Sequence, residues 1–324
     1  MSEPSPPKPG DPIGSYELIE PLGQGAMGQV WLARHRLLGR RAAVKLINPR
    51  YADPEQRDAP FRRFEREANA TGRLESPYTV RIYDFGVSDA GSLYYAMEHL
   101  RGADLQRVVT ELGPLPAARV VALADQVCGS LGEAHAAGLV HRDLKPANVF
   151  LCELGLECDV IKVLDFGLVK RMFGDTERDL TGGRMVGSPA FCAPEACSGV
   201  FSPLGDIYSL GCTLFWLLTG AYVFDEHNFF ELVEAHLTRE PAPPSTLASG
   251  VPPELDALVL ECLCKDPEER PATVREVRRS LRAIPFAQPW THTEAEAWWD
   301  THREQLLARP TAPEPVVDEN ETRG

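Results

Sequence analysis

Residues 141–150 read HRDLKPANVF. His141, Arg142, Asp143, Lys145 and Asn148 set an imidazole, a guanidinium, a carboxylate, an ammonium and an amide within a few positions of one another, with Pro146 among them. A solvated turn needs no such density of chemistry, and the rest of the chain decides between the two readings. Of its 324 residues 44% are hydrophobic, enough for a sizeable core. The formal net charge of -14 argues against a nucleic-acid footprint. The 8 Cys contain no CxxC pair and the 8 His are scattered, so neither a zinc knuckle nor a disulfide framework is indicated. Reduced thiols and a cytoplasmic location are the expectation.

Two regimes divide the chain. From Tyr16 to about Leu100 the segments YELIEPL, QVWLAR, RAAVKLI, TVRIYDFG and SLYYAMEHL carry strand signals, with one helical stretch near residues 61–74. After Gly102 the pattern turns helical, with Val120, Leu123, Val127 and Leu131 on one face, and helices recur to Ala283. This predicts an α+β chain with a small β-rich lobe and a larger helical lobe, joined near Glu98 to Gly102. Residues 1–12 lack the apolar run of a secretory signal and read as a disordered leader. Ile207 to Phe224 is apolar enough to suggest a membrane span, but Asp206 and Asp225 bracket it without a basic cluster, so a buried helix is expected. Beyond Ala283, Thr293 and Glu296 fit a capping box, and Ala295, Trp299, His302 and Leu306 share a helical face. An extra amphipathic helix over 285–309, packed on the large lobe, and a disordered acidic tail over 310–324 are expected.

The small lobe opens with LGQGAMGQV, where Gly23, Gly25, Gly28 and Val30 follow GxGxxGxV. A dinucleotide-binding turn would require a helix next and an acidic residue about 20 positions on. Strand-like VWLARH and AAVKL follow instead, and no Gly-Lys dipeptide exists to form a GxxxxGK[ST] loop. The glycines therefore read as a β-hairpin whose backbone N–H groups can approach phosphates.

In order along the chain come GxGxxGxV, AVK ending at Lys45, HRDLKPAN, DFG at 165–167 and APE at 193–195. This set resembles the eukaryotic-like (Hanks-type) protein kinases over about residues 13–284, and GQGAMGQV looks most like bacterial members with serine/threonine specificity. The resemblance implies a two-lobed kinase fold, with a small lobe over 13–100 and a large lobe over 101–284. The implied activity is transfer of the γ-phosphate of ATP to protein Ser/Thr hydroxyls with Mg²⁺ or Mn²⁺. It makes Lys45 the ligand of the α/β-phosphates and Glu67 its helix partner, preferred to Glu65 because Pro77 follows at the family's usual spacing. Asp143 would orient the acceptor hydroxyl, Lys145 would meet the transferring phosphate, and Asn148 with Asp165 would ligate the metal. Leu22, Gly23, Gly25, Gly28, Val30, Ala43, Met97, Glu98 and Leu100 would surround the nucleotide, the last three as the back of the adenine pocket and the base-reading hinge. Asp206 would brace the HRD backbone, and Arg270 would pair with Glu195.

Arg142 before Asp143 implies control by a phosphorylated activation loop, since a phosphate brings charge and acceptor oxygens to a guanidinium. Thr181 is the favoured acceptor and Thr176 the weaker one, with a homodimer for autophosphorylation in trans. A loop held by Asp175 or Asp179 on Arg142 is the bland alternative. Three departures from the family bear on substrate preference: Ser188 for threonine, Phe191 for tyrosine, and the lengthened hairpin Cys152–Asp159. Two other classes compete. A kinase-fold binding or scaffold protein should have lost Lys45, Asp143 or Asp165, and all three are present. A small-molecule phosphotransferase should lack the long segment from Asp165 to Glu195.

Overall fold

Period-two alternation builds the small lobe. In the computed structural model, which describes residues 6–25, 28–47, 65–66, 68–89, 91–166, 189–226 and 228–308, a six-stranded antiparallel sheet has the order β1-β2-β3-β4-β6-β5. Its strands are β1 Pro12–Ile13, β2 Tyr16–Gly25, β3 Gly28–His35, β4 Arg41–Ile47, β5 Ile82–Val87 and β6 Leu93–Glu98. Ala42, Val44, Leu46, Tyr94 and Ala96 pack on one face with Tyr16, Leu18 and Trp31. Ala43, Ile47, Leu93, Tyr95 and Met97 pack on the other with Leu22 and Val30. Lys45 alternates onto this second face. The β2–β3 hairpin presses so close to β4 that a Cβ on Gly28, whose φ is 147°, would meet the Leu46 carbonyl oxygen at 2.0 Å. Residues 65–66 and 68–72 are helical, and the rest of the stretch expected near 61–74 lies mostly outside the described residues.

The expectation of a free leader is corrected for residues 6–12. β1 pairs with β2, and the Gly10 N–H donates to the Leu18 carbonyl at 2.8 Å. Burial of Ile13 against Tyr16 supplies the apolar anchor that composition did not reveal.

The large lobe is helical, with α1 Leu105–Leu112, α2 Ala117–Ala136, α3 Pro203–Thr219, α4 Phe229–Thr238, α5 Pro253–Cys262 and α6 Val274–Ala283. Ser202 caps α3 through the Gly205 N–H, Pro203 occupies the first turn, and Gly220 at φ 71° ends it. Every residue of α3 from Asp206 to Leu218 is buried, so the apolar stretch is a core helix. Among the described residues no helix is long and apolar enough to cross a membrane. A second sheet has the order β7-β8-β9, made of β7 Gly102–Asp104, just before α1, and of β8 Val149–Leu154 and β9 Glu157–Val163, which follow α2 in the chain.

The last helix among the described residues, α7, spans His292–Leu307. Its cap is Thr291 rather than Thr293: Glu294 accepts the Thr291 N–H at 3.0 Å, and Thr293 lies inside the first turn. Two T-x-x-E patterns overlap here, and the first prevails because Trp290, just before it, is anchored by a hydrogen bond to Asp159.

Candidate active site

The HRDLKPAN segment folds as a turn closed by the 3₁₀ turn Pro146–Asn148 and held from behind by the start of α3. The Asp206 carboxylate accepts the His141 N–H at 2.7 Å and the Arg142 N–H at 2.9 Å, and His135 Nε2 lies 2.8 Å from it. These bonds hold Arg142 in the left-handed region at φ 65°, a strained geometry for a non-glycine residue. His141 is fully buried, and burial lowers the affinity of its imidazole for a second proton against the pull of the nearby carboxylates. Its Nε2–H donates to the Leu164 carbonyl at 2.9 Å, which leaves Nδ1 to accept the Asp143 N–H at 3.3 Å.

This scaffold presents Asp143, Lys145 and Asn148 together. Lys145 Nζ stands 3.2 Å from Asp143 Oδ2. Asn148 Nδ2 donates to the Asp143 carbonyl at 2.7 Å and to its carboxylate at 3.2 Å. With the amide nitrogen so committed, the Asn148 Oδ1 is the acceptor oxygen of that side chain. The Leu164 N–H donates to the Asn148 carbonyl at 2.8 Å, which brings the end of β9 beside the turn. Asp165 follows at φ 51°, and its two carboxylate oxygens are taken by Lys45 Nζ and by the Tyr95 hydroxyl. Burial raises the proton affinity of Asp165, but the Lys45 ammonium and the Tyr95 hydroxyl outweigh it and hold the carboxyl below its usual range. Asp165 and Asn148 thus supply hard oxygen donors of the kind that suit Mg²⁺ or Mn²⁺. Among the described residues no group of three or more His, Cys, Asp or Glu forms a separate metal site.

The face of the small sheet that carries Lys45 forms the other wall. Leu22, Val30, Ala43 and Met97 share one apolar cluster, with Leu164 from below. A Cβ at Gly23 or Gly25 would meet no protein atom, so open space borders the hairpin. After Met97, Glu98 is fixed at both ends: its N–H donates to the Arg81 carbonyl at 3.0 Å, and its carboxylate accepts Lys162 Nζ at 2.7 Å and the Arg81 N–H at 2.9 Å. Leu100, two residues on, is half-buried. Further away, Arg270 forms a bidentate pair with Glu195 at 2.7 and 2.9 Å. Glu67, Gly167, Thr176, Thr181 and Ser188 lie outside the described residues.

Two contacts at this site escaped motif reading. Tyr95 is opposite Lys45 in the β4–β6 register, and the alternation of LYYAME, which puts it on the Met97 face, was the available signal. The Glu98–Lys162 pair joins residues far apart in sequence, and nothing local marks it.

A protein kinase domain model matches residues 16–281. The serine/threonine-protein kinase pkn3 of Myxococcus xanthus is 35% identical over 276 residues, covering 83% of this chain and 50% of that protein. PknB of Mycobacterium leprae, also a serine/threonine-protein kinase, is 35% identical over 278 residues, covering 85% of this chain and 43% of that one. The chain thus spans half or less of the length of these relatives. Among solved structures, the PknI kinase domain of Mycobacterium tuberculosis aligns with a TM-score of 0.68 and 28% identity over 86% of this chain and 98% of that one. Since the matched region takes in most of the chain and every element that forms the cleft, this protein belongs to the protein kinase domain family.

Proposed function

We propose that this chain transfers the γ-phosphoryl group of ATP to serine or threonine hydroxyls of proteins. The observation that carries this reading is the meeting of Asp143, Lys145 and Asn148, on one turn, with Asp165 and Lys45 across the cleft. Phosphoryl transfer asks mostly for positioning and charge neutralisation, and these residue types provide both. In the transfer, a bond forms between the acceptor oxygen and the γ-phosphorus while the bridging β–γ bond breaks and ADP leaves. Asp143 orients the hydroxyl and receives its proton, and Lys145 neutralises charge on the moving phosphoryl group. Lys45 binds the α/β-phosphates with Glu67 as its aiming partner, and Gly23, Gly25 and Gly28 admit the phosphates under the hairpin backbone. Leu22, Val30, Ala43 and Met97 hold the base, with the Glu98 to Leu100 backbone reading its edge. Asn148 and Asp165 are the residues that would hold Mg²⁺ or Mn²⁺, whose chemistry is to neutralise and orient the triphosphate. Asp206 and the Arg270–Glu195 pair keep the turn and the acceptor side in place. The catalytic domain in this reading is residues 13–284.

Regulation by the loop after Asp165 is the second part of the proposal. Arg142, whose N–H is held by Asp206 and whose guanidinium lies 4.9 Å from the ring centre of Phe201, would pair with the phosphate of phosphorylated Thr181, or less favourably Thr176, after autophosphorylation within a homodimer. The test is a labelled-ATP assay on generic protein acceptors with Mg²⁺ and Mn²⁺, run beside EDTA and Asp143→Asn controls. Undiminished transfer in excess EDTA overturns the main reading. If Thr181→Ala with Thr176→Ala leaves activity and its sensitivity to phosphatase unchanged, the regulatory part falls.

A further inference from the structure

The lengthened hairpin Cys152–Asp159 and the tryptophan-rich segment beyond Ala283, which phosphoryl transfer leaves unused, meet in the structure. α7 packs on β9 and β7. Asp159, at the start of β9, receives four donors: Trp299 Nε1 at 2.7 Å and Arg119 Nη2 at 2.7 Å on Oδ1, Trp290 Nε1 at 2.8 Å and Arg119 Nε at 2.8 Å on Oδ2. The Arg119 guanidinium is wholly buried, 3.6 Å from the ring centre of Trp298 and 4.9 Å from that of Trp290. Glu153, at the other end of the lengthened segment, accepts Arg303 Nε at 3.0 Å and Nη2 at 2.8 Å. The far end of α7 is closed by Arg107 of α1, which donates to the carbonyls of Gln305 at 2.9 Å, Leu306 at 3.2 Å and Ala308 at 2.8 Å. That guanidinium satisfies carbonyls a helix end leaves without partners. Each departure from the family pattern explains the other: the long hairpin is the seat for the extra helix.

The seat matters because of what emerges from its sheet. β7 begins two residues after Leu100, β8 begins at the residue after Asn148, and β9 ends two residues before Asp165. β9 also carries Lys162, which holds Glu98. Among the described residues the non-glycine positions with positive φ are Arg142, Asp165 and Asp159. Two of these lie in the cleft, and the third is the anchor of α7, so strained backbone marks both places. We infer that α7 is a brace for the nucleotide cleft, with Asp159, Trp299 and Arg107 as positioning residues. By fixing the outer side of the β7-β8-β9 sheet, it keeps the hinge, Asn148 and Asp165 in mutual register. This rests on the phosphotransfer reading only for what the cleft binds. A helix that merely adds stability would leave the cleft's own dynamics and affinity alone.

The experiment uses the full chain in two variants, Arg107→Gln with Arg303→Gln, which touches partly exposed side chains, and Trp299→Phe. Hydrogen exchange of the nucleotide-free proteins is followed by mass spectrometry over residues 98–104 and 149–165, with α3 as the internal reference. Calorimetry then gives the Kd of a non-hydrolysable ATP analogue with Mg²⁺, and steady-state assays give KM for ATP against kcat. Faster exchange in both segments with α3 unchanged is expected, with an analogue Kd about 3- to 30-fold weaker. The loss should fall more on KM than on kcat. Exchange at the wild-type rate in both segments, or an unchanged Kd, overturns the brace. Should Trp299→Phe fail to fold, the arginine double variant decides alone. A wild-type chain that does not bind the analogue defeats the phosphotransfer reading, while the exchange comparison still decides the brace.

Discussion

Replacing Asp159 with Asn changes one oxygen to an amide nitrogen in a site where four N–H donors converge within 2.8 Å. The remaining oxygen can serve one pair of donors, and the new NH₂ faces the other pair. Arg119, fully buried, loses its counter-charge. Breaking a buried ion pair from one side costs about 3–5 kcal/mol, because the surviving charge stays out of water. For a domain of this size that corresponds to a fall in Tm of about 5–10 °C. Trp299→Phe is the graded control: it removes one hydrogen bond to Asp159 and leaves the ion pair, for a cost of about 1–3 kcal/mol. Adding Arg119→Met to Asp159→Asn removes the orphaned cation, so the double variant should melt above the single one. Circular dichroism melts of the four proteins check the series. A fall of less than about 3 °C for Asp159→Asn, or a double variant melting below the single one, would show that the charge at this site is not what α7 is built around.

Asp143→Ala should lower kcat by about 10² or more, as expected for loss of a positioned proton acceptor, measured on a protein acceptor at saturating ATP. Tyr95→Phe removes the hydroxyl bound to the Asp165 carboxylate and, if Asp165 holds the metal as proposed, should weaken Mn²⁺ binding to the ATP-analogue complex about 10-fold, read by electron paramagnetic resonance. His236 gives a pH signature: burial first, and then the nearby Lys265, push its imidazole down to about 4. A depressed histidine stabilises the fold fully above the unfolded pKa near 6.5, and that stability is lost as pH falls toward 4. The loss is on the order of 3 kcal/mol, and denaturant titrations across that window should show it in the wild type and less of it in His236→Gln.

Local sequence carried much of the site. The turn from His141 to Asn148 is short, so the order of its residues limits which side chains can point together, and the family resemblance of the chain's motifs singled out Lys45, Ala43 and Met97, which the β4–β6 register sets on one face of the sheet. The two-lobed architecture followed from the change of period near Gly102. What stayed hidden depends on distant partners. Tyr95 meets Asp165 across the cleft, Lys162 meets Glu98, and Asp159 looked like an ordinary hairpin residue until three tryptophans and Arg119 gathered around it. The start of α7 was misplaced by two residues for the same reason, since two equivalent local patterns were separated only by the tertiary anchor of Trp290. Ile13, buried at the sheet edge, likewise gave no local sign that the residues before it would be ordered.

The seat of α7 also bears on where the chain can be cut. The family match ends at 281, yet Leu281, Ile284, Trp299 and Leu306 belong to one continuous core with the large lobe, and Phe286 and Trp298 pack against it. A fragment trimmed at the family boundary would bare the faces of β7 and β9 on which α7 packs and leave the Arg119–Asp159 pair without its tryptophan cover. Exposed patches of that kind drive self-association. Expression fragments ending at Ala308 should remain monodisperse where those ending at 281 precipitate, and a library of small inhibitors screened against the shorter fragment would be selecting for compounds that fill the missing helix's bed.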